Sequence, residues 1–155
     1  MPTPHIPIAF PHHHQLPEGA KILAADIGGT KTDIAIFQLQ NGQPVLTNEQ
    51  RYPSKDWPSL VEIVRDFGQG SQSFSSMCIS FAGPIQNGRA HGTNLHWNID
   101  SREISEKLGI QNVYLINDLE ANCYGLAALT SEDLRTIYPG KNGGVGNAAV
   151  LSPGT

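Results

Sequence analysis

Long apolar runs are missing from the 155-residue chain; none approaches the roughly 20 residues that span a bilayer, so no membrane role is expected. The amino terminus lacks the charged-then-apolar pattern of a secretory signal, which points to a cytosolic protein. Basic residues are few, ten Lys and Arg against fourteen Asp and Glu, and they are scattered along the chain. The net charge of −4 weighs against a protein that grips nucleic acid or an anionic membrane, because both need concentrated cations. Cysteine is almost absent. Cys78 and Cys123 each sit in apolar sequence surroundings, which suits reduced, buried thiols and excludes a disulfide scaffold or a cysteine metal site.

What is present suffices for one core. A hydrophobic content of 39% over this length fills a single globular domain and leaves too little for two. Residues 1–20 are rich in Pro and His without helical or alternating period, and they are expected to form a disordered leader. The run His12, His13 and His14 cannot preorganise a metal site in such an arm. From Lys21 the punctuation becomes regular. KILAADIG suits a buried central strand, and TDIAIFQLQ alternates as a half-buried strand does. Asn41-Gly42 with Pro44 marks a turn, after which VLTNEQRYP forms a third strand.

Helical spacing follows. Leu60, Ile63, Val64 and Phe67 share one face, with Pro58 suited to the first turn and Gly68 to the exit. SSMCISFAGPI is a fourth strand. DSREISEKLG is a helix with Asp100 as N-cap, Glu103 as its capping-box partner and Gly109 at the exit. VYLIND is a fifth strand, and LEANCYGLAAL a helix that starts at its end. This order predicts an α/β fold. Its mixed five-stranded sheet opens as an antiparallel meander and continues with parallel strands, made by right-handed crossovers through flanking helices.

Three stretches carry chemistry. In AADIGGTKTD, residues 24–33, a strand ends in glycines that leave no side chain between the backbone amides and an approaching anion, the requirement for a phosphate cradle. Asp26, two residues before the glycines, is placed to hold hydrated Mg²⁺, which keeps its waters and takes one or two carboxylates. The sequence is neither a dinucleotide fingerprint nor a P-loop, and a Gly-Gly turn also occurs in ordinary hairpins. Asp118 ends the strand LIND, where parallel sheets present catalytic groups, although an Asp there also serves as a helix cap. Asp26 and Asp118 would face one crevice, a metal-phosphate site opposite a carboxylate base. Those are the minimum parts for moving a phosphoryl group onto a hydroxyl. Residues 80–100 form a polar, nearly uncharged stretch in which Asn94 and His96 could read a sugar. The alternative is a hairpin turning at Gln86-Asn87-Gly88, with Trp97 in the core.

ADIGGTKTDIAIF resembles the first phosphate motif of the sugar kinase, actin and heat-shock ATPase superfamily. Together with GPIQNGRAHGTNLHWNI and YLINDLEA, it is similar to bacterial glucokinases from about Ile22 to Thr155. The resemblance implies an RNase H-like fold, the small lobe of a two-lobed enzyme over residues 21–155, and ATP-dependent phosphorylation of the glucose 6-hydroxyl. It assigns Asp26 to Mg²⁺, the amides of Gly28, Gly29 and Thr30 to phosphate, Asp118 to the catalytic base, and Asn117 and Asn94 to the sugar. Lys31 stands on the nucleotide side, where close glucokinase relatives commonly carry asparagine and the related repressor, ORF and kinase group carries lysine. Gly154 and Thr155 fall at the start of the second phosphate motif, inside which the sequence stops. The resemblance thus implies an amino-terminal part, inactive alone, with surface exposed for pairing with a second copy. The readings that compete with a hexose kinase are a sugar-binding regulatory module and an actin-like ATPase without a sugar substrate.

Overall fold

The computed structural model describes residues 16–68, 73–92, 95–139 and 147–153. The chain divides after Asp118 into two compact units. His14–Asp118 carries both sheets; the other unit includes Leu119–Thr155. Strands β1 (Lys21–Ile27), β2 (Lys31–Gln40) and β3 (Gln43–Pro53) form the antiparallel meander. Helix α1 (Leu60–Phe67) leads to β4 (Ser76–Phe81), which pairs parallel to β1. Three short strands follow, β5 (Ile85–Gln86), β6 (Arg89–His91) and β7 (Asn98–Asp100). Helix α2 (Ser101–Leu108), strand β8 (Val113–Asn117) and helix α3 (Asp118–Gly125) come next, and short 3-10 turns lie at Ser54–Asp56 and Leu126–Ala128. The main sheet has the order β3-β2-β1-β4-β8, the mixed five-stranded arrangement that the hydrophobic pattern predicts, and β5-β6-β7 form a small antiparallel sheet.

One face of the main sheet is the core face. Leu23, Ala25 and Ile27 from β1, Ile34 and Ile36 from β2, and Met77, Ile79 and Phe81 from β4 are buried. They form one cluster with Leu60, Ile63, Val64 and Phe67 of α1 and Ile104 of α2. Alternation along each strand sends the intervening residues to the opposite face. Both Asn-Gly pairs make hairpin turns that need left-handed backbone at two successive positions. Asn41 and Gly42 have φ of 53° and 72°, and Asn87 and Gly88 have 52° and 73°. At Gly88 a Cβ would also lie 2.6 Å from the Ser101 hydroxyl. The second turn confirms the hairpin at Gln86-Asn87-Gly88, although its third strand, β7, is not marked in the sequence.

Several local expectations change. Ser59, whose hydroxyl accepts from the Glu62 amide at 3.4 Å, is the N-cap of α1, so Pro58 lies one residue outside the helix. Gly68 leaves α1 in right-handed conformation, whereas Gly109 leaves α2 at φ 68°. Asp100 caps α2 by accepting from the Arg102 and Glu103 amides, but the Glu103 carboxylate pairs with Lys107 and not back onto the cap. Cys78 is half-buried and Cys123 is exposed, so the second thiol does not occupy a core position. Of the expected leader, residues 1–15 lie outside the described residues. Residues 18–20 belong to the fold: the Gly19 amide donates to Leu39, and Glu18 accepts from the Asn41 amide at 2.8 Å. Among the described residues no helix is long and apolar enough to cross a membrane.

The end of β3 is held by aromatic packing. The Tyr52 ring meets Trp57 edge-on at 5.4 Å, and the Trp97 indole donates to the Trp57 carbonyl at 2.9 Å. The Tyr52 hydroxyl donates to Asp66 on α1 at 3.0 Å. Burial, reinforced by the Asp66 carboxylate, pushes the Tyr52 phenol up to about 12. The folded state therefore holds the phenolic proton more tightly than the unfolded chain, so this contribution is intact below pH 10 and lost as pH rises towards about 12. Urea unfolding across that range should show a fall in stability that Tyr52→Phe flattens. At neutral pH the same variant should cost about 1 kcal/mol for the missing hydrogen bond.

Candidate functional site

The site grows from the turn that ends β1. Residues 28–30 separate Ile27 from Lys31, and the Gly28 amide donates to the Lys31 carbonyl at 2.9 Å. A Cβ on residue 28 would lie 3.1 Å from that carbonyl oxygen, so the close approach of backbone to backbone favours Gly28. Neither Gly28 nor Gly29 adopts positive φ. Left-handed geometry is therefore not the reason for the pair; at Gly28 it is the tight approach to the Lys31 carbonyl.

Register carries the turn's neighbours across the sheet. Arg51, Asp33, Asp26, Ser80 and Ile116 are aligned on β3, β2, β1, β4 and β8. They share the face opposite the core. The next row, Tyr52, Thr32, Ile27, Phe81 and Asn117, belongs to the core face. Asp26 is exposed, and the Ser80 hydroxyl donates to its Oδ1 at 2.8 Å. Arg51 grips Asp33 with two bonds, Nε to Oδ1 at 2.5 Å and Nη2 to Oδ2 at 3.0 Å. That hydrogen-bonded guanidinium holds the Asp33 carboxyl below its ordinary range, with the Lys31 charge adding to the effect. Asp33 is thus engaged by Arg51, and Asp26 is the carboxylate of the row left to meet a cation. Lys31, exposed and two residues before Asp33, lies on the same face.

At the end of β8 the Asn117 side-chain Nδ2 donates to the Gly83 carbonyl at 3.0 Å. Asp118, half-buried, opens α3. Because β1, β4 and β8 run parallel, Asp26 and Asp118 stand at the same edge of the sheet. They are separated laterally by two strand spacings, roughly 10 Å. Asn117 falls on the face opposite Asp26, so these two do not converge through the sheet. Asn94, Gly154 and Thr155 lie outside the described residues. In the polar stretch His96 is exposed, Trp97 is buried, and the His91 Nδ1 meets the Asn98 side-chain oxygen at 2.9 Å. An open hollow of about 700 Å³ beside the small sheet is lined by Gln86, Asn87, His91 and Asn98 and by Arg89 and Asp100, whose charges pair at 2.6 Å. Sequence reasoning missed Ser80. Its only signal is the apolar-polar alternation of SMCISF, and its partner is fixed by a strand pairing that sequence distance hides.

A hard-oxygen donor set of this kind fits magnesium. Asp26 presents an exposed carboxylate with one oxygen oriented by Ser80, while no group of three or more His, Cys, Asp or Glu is arranged around a metal among the described residues. A cation bound through one carboxylate, its own waters and a phosphate matches that sparse set; a transition-metal cage does not.

Comparison with known proteins agrees with the motif resemblance. The glucokinase family model matches residues 23–155. A glucokinase of Nostoc punctiforme is 38% identical over 123 residues, covering 77% of this chain and 36% of the relative. A glucokinase of Synechocystis is 35% identical over 149 residues, covering 88% of this chain and 42% of the relative. The chain thus spans about two fifths of the length of these relatives. Among solved structures, glucokinase from an Antarctic psychrotroph superimposes with a TM-score of 0.63 at 29% identity, covering 72% of this chain and 36% of that one. A protein from Cytophaga hutchinsonii shares the fold, with a TM-score of 0.56 at 17% identity over 68% of this chain and 38% of that one. Its fold is that of the actin-like ATPases, and the chain belongs to the glucokinase family.

Proposed function

We propose that the full-length gene product phosphorylates the 6-hydroxyl of glucose with ATP, and that this chain supplies the nucleotide-phosphate turn and the catalytic base. The observation that carries the reading is the shared edge. A turn opened by two glycines and an exposed Asp26 end one parallel strand, and Asp118 follows another of the same sheet. In this reading the amides of Gly29 and Thr30, with Lys31 beside them, bind the phosphates, whereas the Gly28 amide, expected from the motif to join them, is taken by the Lys31 carbonyl. Asp26 would hold magnesium, which when bound neutralises charge on the transferring phosphates. Asp118 orients the sugar hydroxyl and takes its proton as the oxygen–phosphorus bond forms. The bond from the γ-phosphorus to its bridging oxygen breaks, and ADP carries the electron pair away. Asn94 and Asn117 are assigned to the sugar, and Gly154 and Thr155 to the nucleotide. Localisation in the cytosol suits both substrates.

Asp118→Asn keeps the shape of the side chain and removes the base. It should lower kcat by about 10²- to 10⁴-fold while glucose affinity, measured by calorimetry, stays near that of the unaltered protein. An unchanged kcat would remove Asp118 from the mechanism.

Ser80→Ala should act through Asp26. The Mg²⁺ concentration for half-maximal rate should rise, with kcat at saturating Mg²⁺ largely retained. A loss of kcat that Mg²⁺ does not restore would show that Ser80 has another role.

A further inference from the structure

The phosphate turn is held from behind by a residue far from it in sequence. Ser54 follows β3 and is fully buried. Its amide donates to the Thr30 carbonyl at 3.0 Å, and its hydroxyl donates to the Gly28 carbonyl, also at 3.0 Å. A carbonyl only accepts, so the single Ser54 hydroxyl proton goes to Gly28. The 2.9 Å contact between the Thr32 and Ser54 hydroxyls must then have Thr32 as donor. A one-way relay results, from buried Thr32 through Ser54 to the turn.

The relay has a directional consequence. No peptide bond is cis among the described residues, and in a trans peptide the carbonyl and the following N–H point in opposite directions. Drawing the Gly28 and Thr30 carbonyls back onto Ser54 therefore turns the amides of Gly29 and Lys31 away from it. We infer that Ser54 is a positioning residue for this turn, fixing the peptide planes on either side of it so that the Gly29 N–H is presented to the phosphates of a bound nucleotide. The inference rests on the phosphate-binding reading above. Preorganised donors need no reorientation when the anion arrives, which is why orientation by Ser54 bears on affinity and not only on stability. Thr32 acts one step further back.

A comparison of Ser54→Ala with Thr32→Val in the full-length gene product tests this. Each variant removes one buried hydroxyl, but only the first releases the Gly28 carbonyl. Calorimetric titration with Mg·ADP and, separately, with glucose is run below both thermal midpoints. Ser54→Ala should weaken Mg·ADP about tenfold, the scale of a donor to a charged group, and leave glucose affinity unchanged. Thr32→Val should weaken Mg·ADP by a clearly smaller factor. The inference is overturned if folded Ser54→Ala binds Mg·ADP as the unaltered protein does. It is also overturned if nucleotide and glucose affinities fall together in step with thermal stability. Should Ser54→Ala not fold, Ser54→Cys, which keeps the volume and weakens the donor, replaces it with the same expected split. If the unaltered protein binds Mg·ADP but never transfers phosphate to sugar, the kinase proposal fails and the Ser54 inference stands; if it binds no Mg·ADP, both fall.

Discussion

The parallel pairing of β1 with β4 and of β4 with β8 is the constraint on which the candidate site depends. Parallel neighbours end at the same edge, so three successive carboxyl ends are delivered side by side. Helices α1 and α2 contribute to the core against one face of these strands, which leaves Asp26 and Ser80 on the other. Register does the rest. A slip of one residue on β1 would bring Asp26 into the layer of Leu23 and Ile27 and strand a carboxylate among apolar side chains. The same packing that stabilises the sheet therefore specifies which face the carboxylate occupies.

A second line of force runs from the aromatic cluster to the turn. Tyr52, Trp57 and Trp97 fix the end of β3 and its exit, and Ser54 lies between the first two in sequence. Packing energy is thereby converted into orientation: the segment that holds the Gly28 and Thr30 carbonyls is itself held by the core and by Asp66 on α1. The Arg51–Asp33 pair has a different role. It is exposed, with 63% and 38% of its side chains accessible, and such pairs add little to stability. Its effect is electrostatic, engaging one of two neighbouring carboxylates.

Much of the fold was legible because its signals are local. Asn41-Gly42 and Asn87-Gly88 announce their turns, Asp100 and Gly109 bracket α2, and the apolar alternation of β2 reports which side is buried. The turn residues 28–30 and the two strand-end aspartates were legible for the same reason. What escaped depends on relations between distant segments. Ser80 meets Asp26 because β4 pairs with β1, and Ser54 meets the turn because β3 returns beside it; in each case the partner is distant in sequence. Residues 18–20 looked like leader by composition, yet the backbone of Gly19 and Ala20 bonds to β2 and the Glu18 carboxylate to the turn after it. Cys123 has apolar neighbours in sequence, but α3 buries none of its residues. The weak second sheet escaped because strands of two or three residues carry no period.

The most direct test of the central claim is ³¹P NMR of the full-length gene product mixed with ATP, Mg²⁺ and glucose. The account predicts that ADP and a phosphate monoester on the glucose 6-oxygen appear in equal amounts, and that ADP formation stops when the sugar is withheld. ADP that forms at the same rate without sugar, or no phosphoryl transfer to any hexose, would contradict it.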